Sequence, residues 1–451
     1  MKHYHSTSLR LIIFTVGILV FTATLVRADL NVAWLRQYGS SGDDYGQGIA
    51  LDAFGQSWIA GATLGNLGGT GNAGGGDVFL SRISATGTLD FTQQRGTSGD
   101  DVNFGVALLG SSTVFTGGYV SGVLDSQTYA GTGDAALLQY NTSGAWQGTK
   151  LFGSANAEYV NGLAANATNL FAAGQTNGAF GGQTNAGSGD AFLTKHDATG
   201  NLLWTRFVGS SGDEAGNAVA LDTAGNSYVT GYTTANRPIG LGSYGIFIAR
   251  YDTNGNRTLL KEFNSTRDEA KAIKVDSSGN IYLAGYTYGN LGGQINAGED
   301  AFVTKLDSAG NVLWTRLFGG AASEQATSLD LDSAGHVWIG GGSSSTFGTH
   351  TNAGQTDAFV AEYDTNGNLL GSQFFGTNGI DVIFSIAIGP DGSAYGTGYT
   401  TGVLGAANAG GSDVFVAKII GVPEPCSIAL LLFGGALCLR RRSLRTHDRN
   451  A

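Results

Sequence analysis

Seven acidic residues recur along the chain, and they are the side chains best placed to do chemistry. Each stands 4 or 5 positions before a segment of small apolar residues, often beside a Gly-Asp pair. The seven are Asp44, Asp101, Glu158, Glu214, Glu269, Glu324 and Asp381. Carboxylates are the preferred ligands of Ca²⁺, and seven of them held close together would repel one another. Two interpretations follow: a calcium-binding rim, or framework carboxylates that accept backbone N–H hydrogen bonds between structural units.

Apart from these acids, the sequence has no clear grouping of residues that could be catalytic. The region between the two chain ends holds three histidines, and no two of them have the i, i+4 spacing of a helical zinc site. Two of these, His196 and His336, occupy turn-adjacent positions that hold other residues in related segments. A carboxylate pair for glycoside hydrolysis would not stand out, because acids recur throughout the chain. The sequence therefore predicts no catalytic residue.

The acids recur because the chain is built from repeats. The motif Asp-Ala/Val-Phe-Leu/Val, or a remnant of it, begins at residues 77, 134, 190, 245, 300, 357 and 413, in steps of 55 to 57 residues. Each copy has four short strand-like segments, joined by Asp-x-x-Gly-Asn turns and an Asn-Ala-Gly loop. Four antiparallel strands repeated seven times indicate a seven-bladed β-propeller. A parallel β-helix, the alternative, would have a shorter period and no hairpin turns.

The order of the strands predicts how the ring closes. Residues 34–39 resemble the fourth strand of other copies, whereas the last copy ends after its third strand, at residues 413–419. We therefore expect an all-β propeller over residues 29–421 in which the N-terminal strand completes the last blade and removes an exposed edge. Repeated aromatic residues, including Tyr232, Tyr286 and Tyr399, are interpreted as framework.

Composition and charge narrow the classes of protein. The 451 residues include 74 Gly and only 4 Pro; 42% are hydrophobic and 13% charged, which allows a large core and disfavours a helical bundle. The net charge of −11 argues against nucleic acid as a partner. Both cysteines, Cys426 and Cys438, lie near the C-terminus, so residues 29–421 can form no disulfide of their own.

The N-terminus reads as a targeting segment. A basic start is followed by 16 largely apolar residues, 11–26, and by the small residue Ala28. This pattern predicts a signal peptide over residues 1–28, cut before Asp29 by signal peptidase. An uncleaved anchor helix is the alternative, although 16 residues fall short of the roughly 20 that span a bilayer.

The C-terminus, residues 422–451, also has the pattern of a targeting segment. Pro423, Glu424 and Pro425 precede an apolar stretch over residues 426–439. Three arginines follow it: Arg440, Arg441 and Arg442. This order resembles a PEP-CTERM sorting signal, and the resemblance implies an exosortase, a membrane protease-transpeptidase, as a partner during export to the surface or matrix of a Gram-negative bacterium. The apolar stretch would hold the tail in the membrane transiently, with the arginines on the cytoplasmic side. A plain C-terminal anchor is the alternative.

The repeats share two longer motifs. The third and fourth strands follow DAFVxKxDxxGNxxW, as in residues 300–314, and the second strands follow GNxYVxGxT. These motifs resemble those of the bacterial SBBP family, and the resemblance spans about residues 30–420. It implies an extracellular propeller without a common activity. We expect an exported, monomeric, non-enzymatic structural or ligand-binding module, with exopolysaccharide as a candidate partner. A polysaccharide lyase or hydrolase with its site at the channel mouth, and a protein-interaction scaffold, are the alternatives.

Overall fold

The computed structural model describes residues 27–69, 71–235, 244–263, 267–346, 348 and 350–423. These residues form strands joined by turns and loops, and no helix occurs among them. The predicted signal peptide, apart from Arg27 and Ala28, and the predicted sorting tail from Glu424 onward lie outside the described residues. The propeller lies within one compact unit, Ala28–Val422.

The described residues contain 28 strands. In chain order they are β1 (Arg27–Tyr38), β2 (Asp44–Leu51), β3 (Ser57–Thr63), β4 (Asp77–Ile83), β5 (Leu89–Arg95), β6 (Val102–Leu109), β7 (Thr113–Val120), β8 (Asp134–Asn141), β9 (Trp146–Phe152), β10 (Glu158–Ala165), β11 (Leu170–Thr176), β12 (Asp190–His196), β13 (Leu202–Val208), β14 (Glu214–Leu221), β15 (Ser227–Thr233), β16 (Gly245–Tyr251), β17 (Arg257–Phe263), β18 (Asp268–Val275), β19 (Ile281–Thr287), β20 (Asp300–Leu306), β21 (Val312–Phe318), β22 (Glu324–Leu331), β23 (Val337–Ser343), β24 (Asp357–Tyr363), β25 (Leu369–Phe375), β26 (Asp381–Ile388), β27 (Ala394–Thr400) and β28 (Asp413–Pro423).

The strands form seven four-stranded antiparallel sheets, which confirms the seven-bladed propeller. Blades 1 to 6 each use four consecutive strands, beginning with β2-β3-β4-β5. Blade 7 has the order β1-β28-β27-β26, so the N-terminal strand is its outer strand. The ring closes as the sequence predicts, and Leu30 of β1 is buried with Trp338 and Phe415 in the core between blades 6 and 7.

Short turns and buried aromatic side chains explain why each repeat folds into a blade. In the turn between β14 and β15, Asp222 Oδ1 accepts the N–H groups of Ala224 (3.0 Å) and Asn226 (2.9 Å). Gly225 adopts φ +83°, a conformation that glycine accepts at little cost. The second and third strands of a blade are buried almost throughout, as for β15 and β16, because neighbouring blades cover both faces.

Every first strand contains a β-bulge, which the sequence did not predict. In β14 the pairing with β15 passes from Gly216 to Ala218, so Asn217 is the extra residue. The seven bulge residues are Gln47, Phe104, Asn161, Asn217, Lys271, Thr327 and Phe384. Some of them tie one blade to the next: Asn217 Nδ2 donates to Ala270 O at 2.9 Å. The first strand of blade 1 pairs on both sides of its bulge and begins at Asp44, so the repeated acid is its first residue.

The two faces of the propeller carry different loops. We call the upper face the one with the loops between second and third strands and the crossovers between blades. The lower face carries the turns between first and second and between third and fourth strands. Since each repeated acid stands at, or next to, the first residue of a first strand, the acids lie towards the upper face. Turns such as Asp222–Asn226 lie on the lower face.

Candidate functional site

The repeated acids are buried at the upper ends of the first strands. Six of the seven, all except Glu269, accept a hydrogen bond from the backbone N–H of the residue four positions earlier, in the crossover from the preceding blade. Ser210 N–H donates to Glu214 Oε2 at 2.7 Å, and Thr233 Oγ1 donates to Oε1 of the same carboxylate at 2.8 Å. Glu158 is held in the same way by Ser154 N–H at 2.7 Å. This geometry favours the framework interpretation of the seven acids, because their own chain supplies the donors.

One of the seven acids was assigned to the wrong residue. In blade 5 the repeated position is Asp268, not Glu269: Asp268 pairs with Thr287 as Glu214 pairs with Thr233 in blade 4. Thr287 Oγ1 donates to Asp268 Oδ1 at 2.5 Å. Blade 5 carries two adjacent acids, and counting back from the apolar segment cannot choose between them when a bulge of unknown position intervenes. Glu269 faces the opposite side of the strand and takes part in a different network.

A second buried acid, at the start of the third strand, lies near the first-strand acid of the following blade. Asp190 Oδ2 accepts the N–H of Ala186 at 2.9 Å, which caps the Asn-Ala-Gly loop. Burial raises the pKa of Asp190, and the nearby Glu214 carboxylate raises it further. Burial likewise raises the pKa values of Asp44, Asp101 and Asp300, each with an added contribution from the neighbouring acid. The paired acids are therefore under electrostatic strain when both are ionised.

We expect the propeller to become more stable as the pH falls from 7 towards about 5. A carboxyl whose pKa is raised by folding binds protons more tightly in the folded state, so its stabilisation is present at low pH and lost as pH rises through the folded pKa. Below about pH 4 the trend reverses, because hydrogen bonds in the turns lower the pKa values of Asp252 and Asp307, whose stabilisation is lost on protonation. Urea unfolding midpoints from pH 8 to 3 at constant ionic strength would measure both the rise and the fall in stability.

Two variants separate the rise in stability between pH 7 and 5 from the fall in stability at lower pH. Asp190→Asn removes one charge of a buried pair and should flatten the rise between pH 7 and 5. Asp252→Asn changes an exposed turn, where asparagine already serves in blade 2 as Asn141, and should leave that rise intact. A wild-type stability that falls steadily from pH 7 to pH 5 would contradict the expectation.

The upper mouth of the central channel is surrounded by aromatic side chains. The channel has a volume of about 820 Å³ and is lined by the first strands of all seven blades. Around its upper end lie ten aromatic residues that are half-buried or exposed, which we call the aromatic rim. The rim consists of Tyr45, Phe104, Tyr119, Tyr159, Tyr232, Tyr244, Tyr286, Tyr288, Phe384 and Tyr399.

The rim residues contact one another across blade boundaries. Tyr45 and Tyr399 meet edge to face with ring centroids 5.2 Å apart, and Tyr119 and Tyr159 do so at 4.9 Å. In blade 6 the equivalent positions hold Gln325 and Gly342, so the rim is interrupted there. The sequence interpretation missed the rim, since it read the second-strand tyrosines as framework. The sequence did offer a signal, because each of these tyrosines stands one residue before the buried last residue of its second strand.

A polar network links the rim of blades 4 and 5. Glu269 accepts hydrogen bonds from Tyr286 Oη, from Asn217 Nδ2 at 2.8 Å and from Lys271 Nζ at 2.6 Å. Burial and the adjacent Glu269 carboxylate raise the pKa of Tyr286, which keeps its phenol protonated. With three donors on its carboxylate and a tyrosine that holds its proton, this network suits hydrogen bonding to a hydroxylated ligand better than proton transfer.

The histidines lie away from the rim. His196 is buried, with Nδ1 3.1 Å from Gly200 O, and burial lowers its pKa to about 4. The ring of His350 stacks on Phe374 with centroids 3.9 Å apart. His336, on the lower face of blade 6, lies beside Asp332 and Glu362. These three side chains form the one group of three or more potential metal ligands found among the residues that the structure describes; the repeated acids form none.

Comparisons with known proteins concern the repeats and the fold. Residues 203–237 and 258–292 match the model of SBBP, a beta-propeller repeat. These two segments are therefore similar to SBBP repeats. Each matched segment takes in the outer strand of one blade and the first two strands of the next, β13–β15 in the first case. The described part of the chain has no helix long and apolar enough to cross a membrane.

Similar proteins have varied names. A 162-residue region is 25% identical to the regulatory protein FlaEY of Caulobacter vibrioides; it covers 32% of this chain and only 17% of that protein. The WD40 domain of Neurospora crassa Pan2 is 11% identical with a TM-score of 0.49, covering 87% of this chain and 96% of that one. A gluconolactonase from Xanthomonas campestris is 15% identical with a TM-score of 0.35, covering 69% and 91%. At such identities the likeness concerns the fold alone.

Proposed function

We propose that this protein is an exported, non-enzymatic propeller that binds extracellular polysaccharide at its aromatic rim. Residues 1–28 would direct export, and residues 422–451 would serve as the substrate of an exosortase. The propeller would then remain at the cell surface or in the matrix. The observation that carries the binding proposal is the rim itself: partly exposed tyrosines beside carboxylates and amides around one mouth of the channel.

Tyrosine rings and fixed hydrogen-bond acceptors are the groups that a sugar requires. The faces and edges of Tyr45 and Tyr399 offer apolar area to the C–H side of a pyranose, while each phenol gives a polar end. Asp213 Oδ2 accepts from Tyr232 Oη at 2.9 Å, and its Oδ1 accepts from Gln175 Nε2 at 3.0 Å, so polar groups of the rim are already oriented. Pre-orientation of this kind lowers the entropy lost when a ligand binds.

Loss of two rim tyrosines should weaken polysaccharide binding by about tenfold or more. The double variant Tyr45→Ala, Tyr399→Ala removes an edge-to-face pair, and an aromatic contact is worth about 1 kcal/mol or more, where 1.4 kcal/mol is tenfold in affinity. The measurement is co-sedimentation of the protein with the extracellular polysaccharide of the producing cell. Phe54→Ala is the matched control, since Phe54 is an aromatic residue of the lower face that is 83% exposed.

The outcomes of this experiment are distinct. Retention that depends on Tyr45 and Tyr399 but not on Phe54 supports the rim. Equal retention of all variants would place binding elsewhere, and no retention would remove the polysaccharide proposal. Parallel runs with calcium and with a chelator test the calcium interpretation of the repeated acids: retention lost with the chelator would support a calcium site.

A protein-interaction scaffold is the second candidate, and one observation favours it. Exposed apolar residues stand on the upper-face loops of four blades, including Ile295, which is 86% exposed, and Val403, which is 69% exposed. The other two are Leu64 and Val123. Exposed apolar patches are typical of protein-binding surfaces. Under this alternative, Ile295→Ser and Val403→Ser would abolish capture of a protein partner, whereas Tyr45→Ala, Tyr399→Ala would leave sedimentation with polysaccharide unchanged.

A further inference from the structure

Blade 6 carries a histidine between two carboxylates on the lower face. His336 Nδ1 lies 2.9 Å from Glu362 Oε1 and 3.3 Å from Asp332 Oδ2. Glu362 is fully buried, while the imidazole of His336 is 29% exposed and can be reached from solvent. A ligand atom from each of the three side chains lies within 4.8 Å of the other two.

The other blades show what this position normally holds. In blade 4, Asn226 Nδ2 donates to Asp222 Oδ2 at 2.7 Å, where blade 6 has His336 and Asp332. At the third-strand position of Glu362, five other blades have a basic residue and blade 2 has a glutamine. These residues are Arg82, Gln139, Lys195, Arg250, Lys305 and Lys418. Two departures from the repeat therefore occur in the same blade, and their side chains contact each other.

The two replacements change the charge of the cluster. In blade 5 the equivalent group combines Asp276 with Lys305, whose Nζ lies 5.0 Å from the centroid of the Tyr282 ring, so one negative charge accompanies one positive charge. In blade 6 two carboxylates face a single imidazole nitrogen, which can offer only one proton. A divalent cation bound by the imidazole and the two carboxylates would bring two positive charges to this cluster, where a protonated imidazole brings one.

The distances also suit a metal ion. A tetrahedral Zn²⁺ with ligands at about 2.0–2.2 Å places neighbouring ligand atoms about 3.3 Å apart. The two distances from His336 Nδ1 to the carboxylates, 2.9 and 3.3 Å, are close to that value. An imidazole ligand favours zinc and similar transition metals over Ca²⁺ and Mg²⁺, which prefer oxygen. Three protein ligands leave a fourth position for water on the exposed side of His336.

We propose that Asp332, His336 and Glu362 form a binding site for a divalent transition-metal ion of the zinc type. Glu362 is supplied by β24, and the other two side chains by the turn between β22 and β23. The ion would join first, second and third strands of blade 6 at the lower face. This site is independent of the rim and of the proposed polysaccharide, because it lies at the opposite end of the strands.

The test is Zn²⁺ binding to the metal-free full chain, measured by competition with a chromophoric chelator, and by the visible absorption of Co²⁺ as a substitute. The residues outside the described ranges include His3, His5, His447 and two cysteines, so the measured quantity is the difference between wild type and variants. The variants are His336→Asn and Glu362→Lys, which introduce the residues that blade 5 carries at these positions, Asn280 and Lys305. His350→Asn is the control, since it removes a histidine near another carboxylate, Asp357.

We expect wild type and His350→Asn to bind one Zn²⁺ more than either blade 6 variant, or to bind the ion at least about 100-fold more tightly, because loss of a ligand exceeds the 10–100-fold effect of a ligand's supporting partner. The Co²⁺ absorption should fall in the same two variants. Zn²⁺ should also raise the unfolding temperature of wild type and not of these variants. Equal Zn²⁺ affinity and stoichiometry in wild type and His336→Asn, or displacement of the ion by equimolar Ca²⁺, would overturn the proposal.

Discussion

Replacement of Gly285 by alanine is expected to destabilise the propeller by about 4 kcal/mol, near the upper end of single-residue effects. A Cβ at Gly285 would lie 1.9 Å from the carbonyl oxygen of Glu269 and 3.0 Å from Cα of Ala270. Both are backbone atoms of the bulged strand β18, so relief requires the two strands to separate. The urea midpoint of Gly285→Ala against that of wild type measures the effect.

The control is the same substitution where there is room. Gly148 lies in the outer strand β9, and a Cβ there would meet no atom within 4 Å, so Gly148→Ala should change stability little. The contrast removes the general effect of a Gly→Ala change on the unfolded chain. If Gly285→Ala were as stable as Gly148→Ala, the close approach of the two strands would be wrong.

The same close approach occurs in every blade. The equivalent glycines would place a Cβ 1.7–1.9 Å from a backbone oxygen of the first strand. They are Gly61, Gly118, Gly174, Gly231, Gly285, Gly341 and Gly398. The crowding oxygen belongs to the residue two positions before the bulge, while the glycine itself pairs with the residue one position before it, as in the pairs Gly216–Gly231 and Ala270–Gly285. A glycine at this position of the second strand therefore accompanies the bulge of the first strand.

Local features made the blades predictable from the sequence. The turn at Asp222 and Gly225 is specified by short-range hydrogen bonds and a positive φ, and both are visible as residue types at fixed offsets. A buried Phe also repeats at the same offset in six of the seven third strands, as in Phe247 and Phe302, whereas β8 has Ala136 there. The closure of blade 7 by β1 followed from the resemblance of residues 34–39 to other fourth strands.

The candidate sites were less predictable than the blades, mainly because the sequence did not reveal the β-bulge of the first strands. The bulge sets which residue of a first strand faces which residue of the second, and no residue type marks it, because Gln, Phe, Asn, Lys and Thr all occupy it. Without it, Glu269 was taken for the repeated acid, and the pairing of Glu269 with Tyr286 could not be seen. The metal cluster was partly visible, since His336 departs from the repeat, but its partner Glu362 is 26 residues away.

Replacement of Gly96 by alanine is expected to destabilise the protein by about 3 kcal/mol, for a reason that involves the paired acids. A Cβ at Gly96 would lie 2.0 Å from Asp77 Oδ1 and 3.0 Å from Asp101 Oδ2. Both acids are buried, and Oδ1 of Asp77 has no hydrogen-bond donor among the described residues, so it is held against the glycine. The repeats support this dependence: where Gly245 replaces the third-strand Asp, Asn264 replaces the glycine.

The dependence can be measured with a double-mutant cycle. In contrast to Gly285, Gly96 is crowded by side chains, so removal of the Asp77 side chain should relieve the clash. Asp77→Ala alone should destabilise, because Ala73 N–H and Gln94 Nε2 each lose an acceptor at 3.0 Å. Gly96→Ala should then cost about 2 kcal/mol less in the Asp77→Ala background than in wild type, within the range of couplings for residues in contact. Additive effects would show that glycine and acid are independent, and that the joint loss of both at Gly245 and Asn264 has another cause.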